Sequence, residues 1–144
     1  MLDLLTELIK RFEGFSAKPY LCPAGVWTIG YGVTGPGVTK NHPPVTRAEA
    51  NDMLAAILPR YVAQTVKLAP NLTQGPETRL AAVSSFIFNL GPTRFRSSTF
   101  RKKLLAEDWE AAARECRRWV YGGGVKLPGL VKRREAEARL ILAG

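Results

Sequence analysis

Apolar residues recur every three or four positions at the start of the chain, which predicts an amphipathic helix over residues 2–12. They are Leu2, Leu5, Leu8, Ile9 and Phe12. Gly14 follows and is expected to stop this helix, because glycine is frequent just beyond helix ends. Between residues 16 and 40 the helical period is lost, so a different kind of structure is expected there.

Alternation of large and small residues predicts a strand inside that region. Between residues 27 and 31, three large apolar side chains alternate with a threonine and a glycine. The sequence Cys-Pro-Ala-Gly at residues 22–25 predicts a tight turn just before this strand. A small antiparallel sheet is therefore expected.

Helical spacing returns after residue 46 and continues to the end of the chain. Thr46 and Glu49 form a capping-box pattern that opens a long helix. Pro59 lies inside this helix and is expected to kink or break it. Four further helices are expected: one with Pro76 in its first turn, one capped by Ser98, one capped by Asp108 and ended by three glycines, and one opened by Pro128.

The order of one helix, a small sheet and a run of helices predicts an α+β fold in a single domain, residues 1–144. A minor β-lobe is expected over about residues 13–58, and a major helical lobe over residues 1–12 and 59–144. The cleft between two lobes is a common place for a substrate site.

Composition is that of an ordinary globular domain, with 46% apolar and 23% charged residues. No run approaches the roughly 20 consecutive apolar residues that span a membrane. The N-terminus does not have the pattern of a signal peptide, so synthesis in the cytoplasm is expected. Two cysteines do not make a disulfide framework, and a single histidine without metal-ligand spacing argues against structural zinc.

The net charge of +9 predicts attraction to a polyanion. Nucleic acid, an anionic membrane and an anionic cell-wall polymer all fit this charge, and a merely solubilising surface is the simplest alternative. A nucleic-acid-binding module is disfavoured by the lack of a zinc-finger spacing or an RNA-recognition signature. A membrane-active protein could instead use the basic, amphipathic last helix.

Candidate chemistry is concentrated where the first helix gives way to the sheet. Glu13 ends that helix, where the negative end of the helix dipole disfavours a charged carboxylate. The neighbouring Phe12 and Phe15 would desolvate it, which suits a general acid. Cys22 and Thr28 follow with a thiol and a hydroxyl. Taken singly, these residues could equally be a solvated glutamate, a buried cysteine and an ordinary strand threonine.

Taken together, the spacing Glu13-x8-Cys22-x5-Thr28 resembles the signature of the phage-type lysozymes, the endolysins of lambdoid phages and the lysozyme of T-even phages. The resemblance covers nearly the whole chain. E-L-I-K-R-F-E-G is similar to the family's first helix, and S-S-F-I-F-N-L-G to its helix that ends in a substrate-binding asparagine, here Asn89. R-S-S-T-F-R-K-K-L and P-G-L-V-K-R-R-E-A-E are similar to later segments.

This resemblance implies a lysozyme-like fold and hydrolysis of the β-1,4 bond between N-acetylmuramic acid and N-acetylglucosamine in peptidoglycan. Glu13 would protonate the leaving oxygen, while Cys22 and Thr28 would position water on the opposite face of the sugar, as in an inverting glycosidase. Many members of the family carry aspartate at the position of Cys22. A thiol is mostly neutral near pH 7, so positioning of water fits Cys22 better than strong base catalysis.

The resemblance also implies a substrate contact for Asn89 and places an arginine of the last helix near the catalytic glutamate. Arg133 and Arg134 are both candidates, and the sequence leaves the choice between them open. No cofactor or metal is implied. The expected partner is peptidoglycan, met by a monomer whose basic helices could also contact an anionic wall or membrane, and no nucleic acid is expected. Action in the periplasm after release by a holin is implied.

Overall fold

The computed structural model describes all 144 residues and has the predicted α+β architecture. Its elements, in chain order, are α1 (Leu2–Glu13), β1 (Ser16–Leu21), β2 (Trp27–Gly30), α2 (Arg47–Leu68), α3 (Glu77–Leu90), α4 (Pro92–Arg96), α5 (Thr99–Leu105), α6 (Trp109–Cys116), β3 (Tyr121–Gly122), β4 (Val125–Lys126) and α7 (Pro128–Leu142). A short 3-10 turn, Pro70–Gln74, joins α2 to α3.

Helix α1 ends at Glu13, in agreement with the predicted stop at Gly14. Gly14 adopts φ +66°, and its amide donates to the carbonyl of Lys10 at 3.1 Å. Because glycine tolerates this left-handed conformation, the chain can turn sharply there. The turn leaves the Glu13 side chain at the very end of the helix, facing the sheet that follows.

Strands β1 and β2 form the predicted antiparallel hairpin, with Tyr20 opposite Thr28 and Leu21 opposite Trp27. The turn predicted at residues 22–25 is confirmed: the Gly25 amide donates to the carbonyl of Cys22 at 2.8 Å. This short hairpin carries both Cys22 and Thr28.

Helix α2 begins with the predicted capping box, since Thr46 and Glu49 each accept a hydrogen bond from the other's backbone amide. The helix then continues without a break through Pro59 to Leu68. Pro59 is exposed and removes one backbone hydrogen bond. Burial of Leu54, Leu58 and Thr65 on either side holds the helix together across that gap.

Two hydrophobic clusters form the core. The smaller one joins α1, β2 and the first half of α2, and its largest fully buried members are Leu5, Ile9, Ile29, Leu54 and Leu58. The larger one joins the second half of the chain around Phe86, Phe95, Phe100, Leu104 and Ile141. Helix α2 reaches both clusters and connects them.

The predicted caps at Ser98 and Asp108 are confirmed, because each side chain accepts from the amide three residues on. The end predicted for the Asp108 helix is wrong. Helix α6 stops at Cys116, and the glycines lie in a hairpin formed by β3 and β4. Gly123 and Gly124 supply the positive φ angles, 59° and 79°, that a tight two-residue hairpin turn requires.

Candidate active site

A cleft of about 620 Å³ opens between the end of α1, the β1–β2 hairpin, the end of α3 and the start of α7. Glu13, Asn89 and Arg133 line it, so three of the six predicted site residues meet at one surface. Tyr20 and Lys132 also line it, and the sequence analysis did not single them out.

Glu13 lies beside Arg133 across the back of the cleft. Nη1 of Arg133 donates to Oε2 of Glu13 at 2.5 Å. The Arg133 side chain is 3% exposed and that of Glu13 is 18% exposed, so the pair is largely shielded from water. Of the two arginines that the sequence left as candidates, Arg133 is the one that contacts Glu13.

Arg134 points away from Glu13 and is fully buried. Its Nη2 donates to Oδ1 of Asn89 at 2.8 Å, and its Nε lies 2.8 Å from Oε1 of Glu137 in an ion pair. Burial lowers the pKa of the Arg134 guanidinium, and the charge of Glu137 opposes that effect. Arg134 therefore reaches the cleft through Asn89, whose amide group it orients.

Glu137 is a buried acceptor that the sequence analysis missed. It is fully buried and accepts a hydrogen bond from the Ser85 hydroxyl at 2.6 Å. Arg133 and Arg134 both lie within ion-pair distance of it, at 3.4 and 2.8 Å. Ser85 also accepts from Nη2 of Arg133, through its carbonyl at 3.2 Å and its hydroxyl at 3.3 Å. The three-residue spacing of Arg134 and Glu137 on α7 was the available signal, because such pairs share one face of a helix.

Cys22 and Thr28 lie in the hairpin beside the cleft, but neither side chain lines it. Thr28 is 3% exposed, and its hydroxyl donates to the carbonyl of Val26 at 2.9 Å. Burial raises the pKa of the Tyr20 phenol, and electrostatic interactions with Glu13 and Cys22 raise it further.

The arrangement provides one carboxyl group at the wall of a cleft, a cation bonded to it, and an amide oriented from behind. A carboxyl group that is partly shielded from water and next to a substrate groove can deliver a proton to a leaving group.

The sequence profile of the phage lysozyme family matches residues 10–137. The endolysin of Acyrthosiphon pisum secondary endosymbiont phage 1 is 37% identical over 139 residues, which cover 92% of this chain and 91% of the relative. The SAR-endolysin of Enterobacteria phage P21 is 35% identical over 135 residues, covering 92% of this chain and 78% of the relative.

Solved structures of an endolysin and of a muramidase domain have a similar fold. The active form of the P1 phage endolysin Lyz superposes with a TM-score of 0.80 at 28% identity, covering 98% of this chain and 84% of that one. The muramidase domain of SpmX from Asticaccaulis excentricus superposes with a TM-score of 0.81 at 29% identity, covering 96% and 94%. The profile runs from α1 through most of α7 and so includes every wall of the cleft. The chain belongs to the phage lysozyme family, as its signature spacing predicted, and is a glycoside hydrolase that lyses peptidoglycan.

Proposed function

We propose that this lysozyme cleaves the β-1,4 bond between N-acetylmuramic acid and N-acetylglucosamine, with Glu13 as its general acid. The observation that carries the proposal is the position of Glu13 at the wall of the cleft, bonded to the shielded Arg133. Relatives named endolysin and a structural neighbour named muramidase domain support the same reaction.

In this proposal Glu13 enters the reaction protonated and transfers its proton to the glycosidic oxygen as the bond breaks. The transfer leaves a carboxylate, and Arg133 is placed to stabilise that charge. Proton transfer by a positioned side chain typically contributes about 10² to 10⁴ in rate. The cation therefore assists after the transfer and restrains the carboxyl group before it.

Cys22 and Thr28 are proposed to hold the attacking water. The Thr28 proton is committed to the carbonyl of Val26, so its oxygen can only accept a hydrogen bond from the water. Attack from the face opposite Glu13 would invert the configuration of the sugar, the outcome expected when water lies between the acid and its counterpart.

Asn89 is proposed to donate from its amide nitrogen to the sugar, because its oxygen already accepts from Arg134. Arg134 would then act by holding Asn89, and Arg133 by contacting both Glu13 and the substrate. We also propose that residues 1–144 work as one monomeric domain, with the two lobes divided near Pro59 in α2.

No helix of the structure combines the length and the apolar character needed to cross a membrane. We propose synthesis in the host cytoplasm and release to the wall by a holin. A membrane-active role for α7 is disfavoured, because Arg133, Arg134, Glu137, Ala138 and Ile141 of that helix are buried in the protein.

Glu13→Gln is the test of this function. The amide keeps the shape of the side chain but has no proton to give, so clearing of permeabilised Gram-negative cells should fall by at least about 100-fold. Glu7→Gln makes the same change at an exposed position of α1 and should leave clearing unchanged. A folded Glu13→Gln protein that clears at the normal rate would refute the assignment of Glu13.

The bond and the stereochemistry need their own measurement. Wall fragments reduced with borohydride should carry reduced N-acetylmuramic acid, and proton NMR during the reaction should show the α-anomer first. Reduced N-acetylglucosamine would assign the other glycosidic bond, and an initial β-anomer would assign retention.

A further inference from the structure

Gly32 lies directly against the side chain of Glu13. Its φ is +74°, and a Cβ atom built on it would lie 2.6 Å from Oε1 of Glu13 and 2.7 Å from both Cδ and Cγ. Ordinary van der Waals contact begins near 3.4 Å. Three atoms of Glu13 therefore occupy the space that any other residue at this position would fill.

We propose that Gly32 is a positioning residue for the general acid, an inference that rests on the proposed role of Glu13. The missing side chain of Gly32 makes the space in which the carboxyl group sits, and the Gly32 backbone limits how far that group can swing. Gly32 follows β2 in the sequence W-T-I-G-Y-G, so the small sheet itself sets the position of the acid.

Glu13 is also held by Arg133, whose Nη1 donates to Oε2. Arg133 is itself restrained in a buried site, because Ser85 accepts from its Nη2 and Glu137 lies 3.4 Å from its Nε. A methyl group at position 32 would have to move the flexible Glu13 side chain. The move would weaken the Glu13–Arg133 contact and shift the proton away from the leaving oxygen.

The need for a left-handed glycine does not by itself distinguish Gly32. Gly124, in the turn between β3 and β4, has a φ of +79°, and a Cβ built there meets nothing within 4 Å. Substitution at either position therefore brings a similar backbone strain. Only substitution at Gly32 also brings a contact with Glu13.

The experiment compares Gly32→Ala with Gly124→Ala on purified peptidoglycan. We expect Gly32→Ala to lower the maximal rate of lysis about 100-fold, the effect of misplacing a catalytic group by roughly 1 Å. Binding to the wall, measured by sedimentation, should stay unchanged, so the loss appears in kcat and not in KM. Gly124→Ala should keep both properties.

A second pair of variants keeps the test valid if the alanine variants fail to fold. Asparagine adopts positive φ more easily than alanine while still carrying a Cβ, so Gly32→Asn and Gly124→Asn impose less backbone strain. Gly32→Asn should again lose lysis while Gly124→Asn retains it. Equal activity of the two variants, whether high or low, would overturn the proposal.

A stability cycle tests the contact without using activity. The fall in Tm caused by Gly32→Ala should shrink to that of Gly124→Ala when Glu13→Ala has removed the three contacting atoms. A fall that Glu13→Ala does not change would show that the methyl group does not meet Glu13. Lysis by Glu13→Gln would overturn the proposed function, whereas an inactive Glu13→Gln beside a fully active Gly32→Ala would overturn only the positioning role.

Discussion

Two arginines and two glutamates meet at the back of the cleft, and each guanidinium lies beside a carboxyl group. Arg133 lies between Glu13 and Glu137, and Arg134 pairs with Glu137. Glu137 is the shared counter-charge of two buried arginines, which makes their burial tolerable. Removing Glu137 would leave Arg134 buried without an ion-pair partner. The site is therefore sensitive to substitutions that do not touch the substrate.

Glu137→Gln should destabilise the protein by about 3–5 kcal/mol, because it leaves the buried Arg133 and Arg134 with one shared counter-charge fewer. Denaturant unfolding measures the change. Glu135→Gln makes the same substitution two positions earlier on α7, where the carboxylate pairs with Arg117 and Arg139 at the surface. It should cost no more than about 1 kcal/mol. Equal costs for the two variants would contradict a stabilising role for Glu137.

Cys22→Asp and Cys22→Ala separate two roles for the thiol. If the thiol shares the catalytic water with Thr28, Cys22→Asp should retain lysis, since aspartate is the other residue of the family signature, and Cys22→Ala should lose more. If the thiol only fills the turn, Cys22→Ala should be tolerated and Cys22→Asp should lower Tm by desolvating a charge. Because the two roles rank the two variants in opposite order, the lysis rate and Tm measured together decide between them. Cys116→Ala, in the core away from the hairpin, should lower Tm more than it lowers the rate.

At the scale of elements, the site depends on where helices and strands end. Glu13 is the last residue of α1, Asn89 lies one residue before the end of α3, and Arg133 lies in the second turn of α7. Helix α2 supports all of this from behind, because it belongs to both hydrophobic clusters. Rigid elements thus carry the acid, the amide and the cation.

Pro59→Ala tests what holds α2 together. The exposed proline removes a backbone hydrogen bond in the middle of the helix, so alanine should raise the free energy of unfolding by up to about 3 kcal/mol. Pro43→Ala, at an exposed position before α2, should give no gain, because it only frees the unfolded chain. No stabilisation by Pro59→Ala would mean that packing has fixed a helix shape that alanine cannot improve.

At the scale of the whole molecule, the net charge of +9 is expected to favour binding to an anionic wall polymer. Exposed charges are screened beyond about 8 Å at physiological ionic strength, so capture of the wall should weaken as salt rises. Binding of the Glu13→Gln protein to purified wall, followed by sedimentation over increasing sodium chloride, measures capture apart from catalysis. Binding that is constant from low to high salt would show that net charge does not contribute to substrate capture.

Local sequence predicted much of the fold and the position of Glu13 at the end of α1. The caps at Thr46, Ser98 and Asp108 and the turn after Cys22 were all predicted, because each depends on hydrogen bonds within a few residues. Glu13 at a helix end followed from the same local pattern. The end of α6 was predicted too late, since the apolar spacing continues into Trp119 and Val120, which pack against the core without being helical.

Tertiary structure alone decided which groups surround the acid. Arg133 is 120 residues from Glu13 in sequence. Its neighbour Arg134 is also an arginine, but its side chain leaves α7 in a different direction and bonds to Asn89. That direction depends on how α7 packs against α3 and α6, which no local pattern encodes. The same holds for Gly32, whose local sequence predicts only a flexible position. The sequence determined the family and the reaction class and singled out Glu13 as the candidate acid, because these follow from residue type and spacing. Packing determined the partners of that acid, because they come from segments that meet only when the chain has folded.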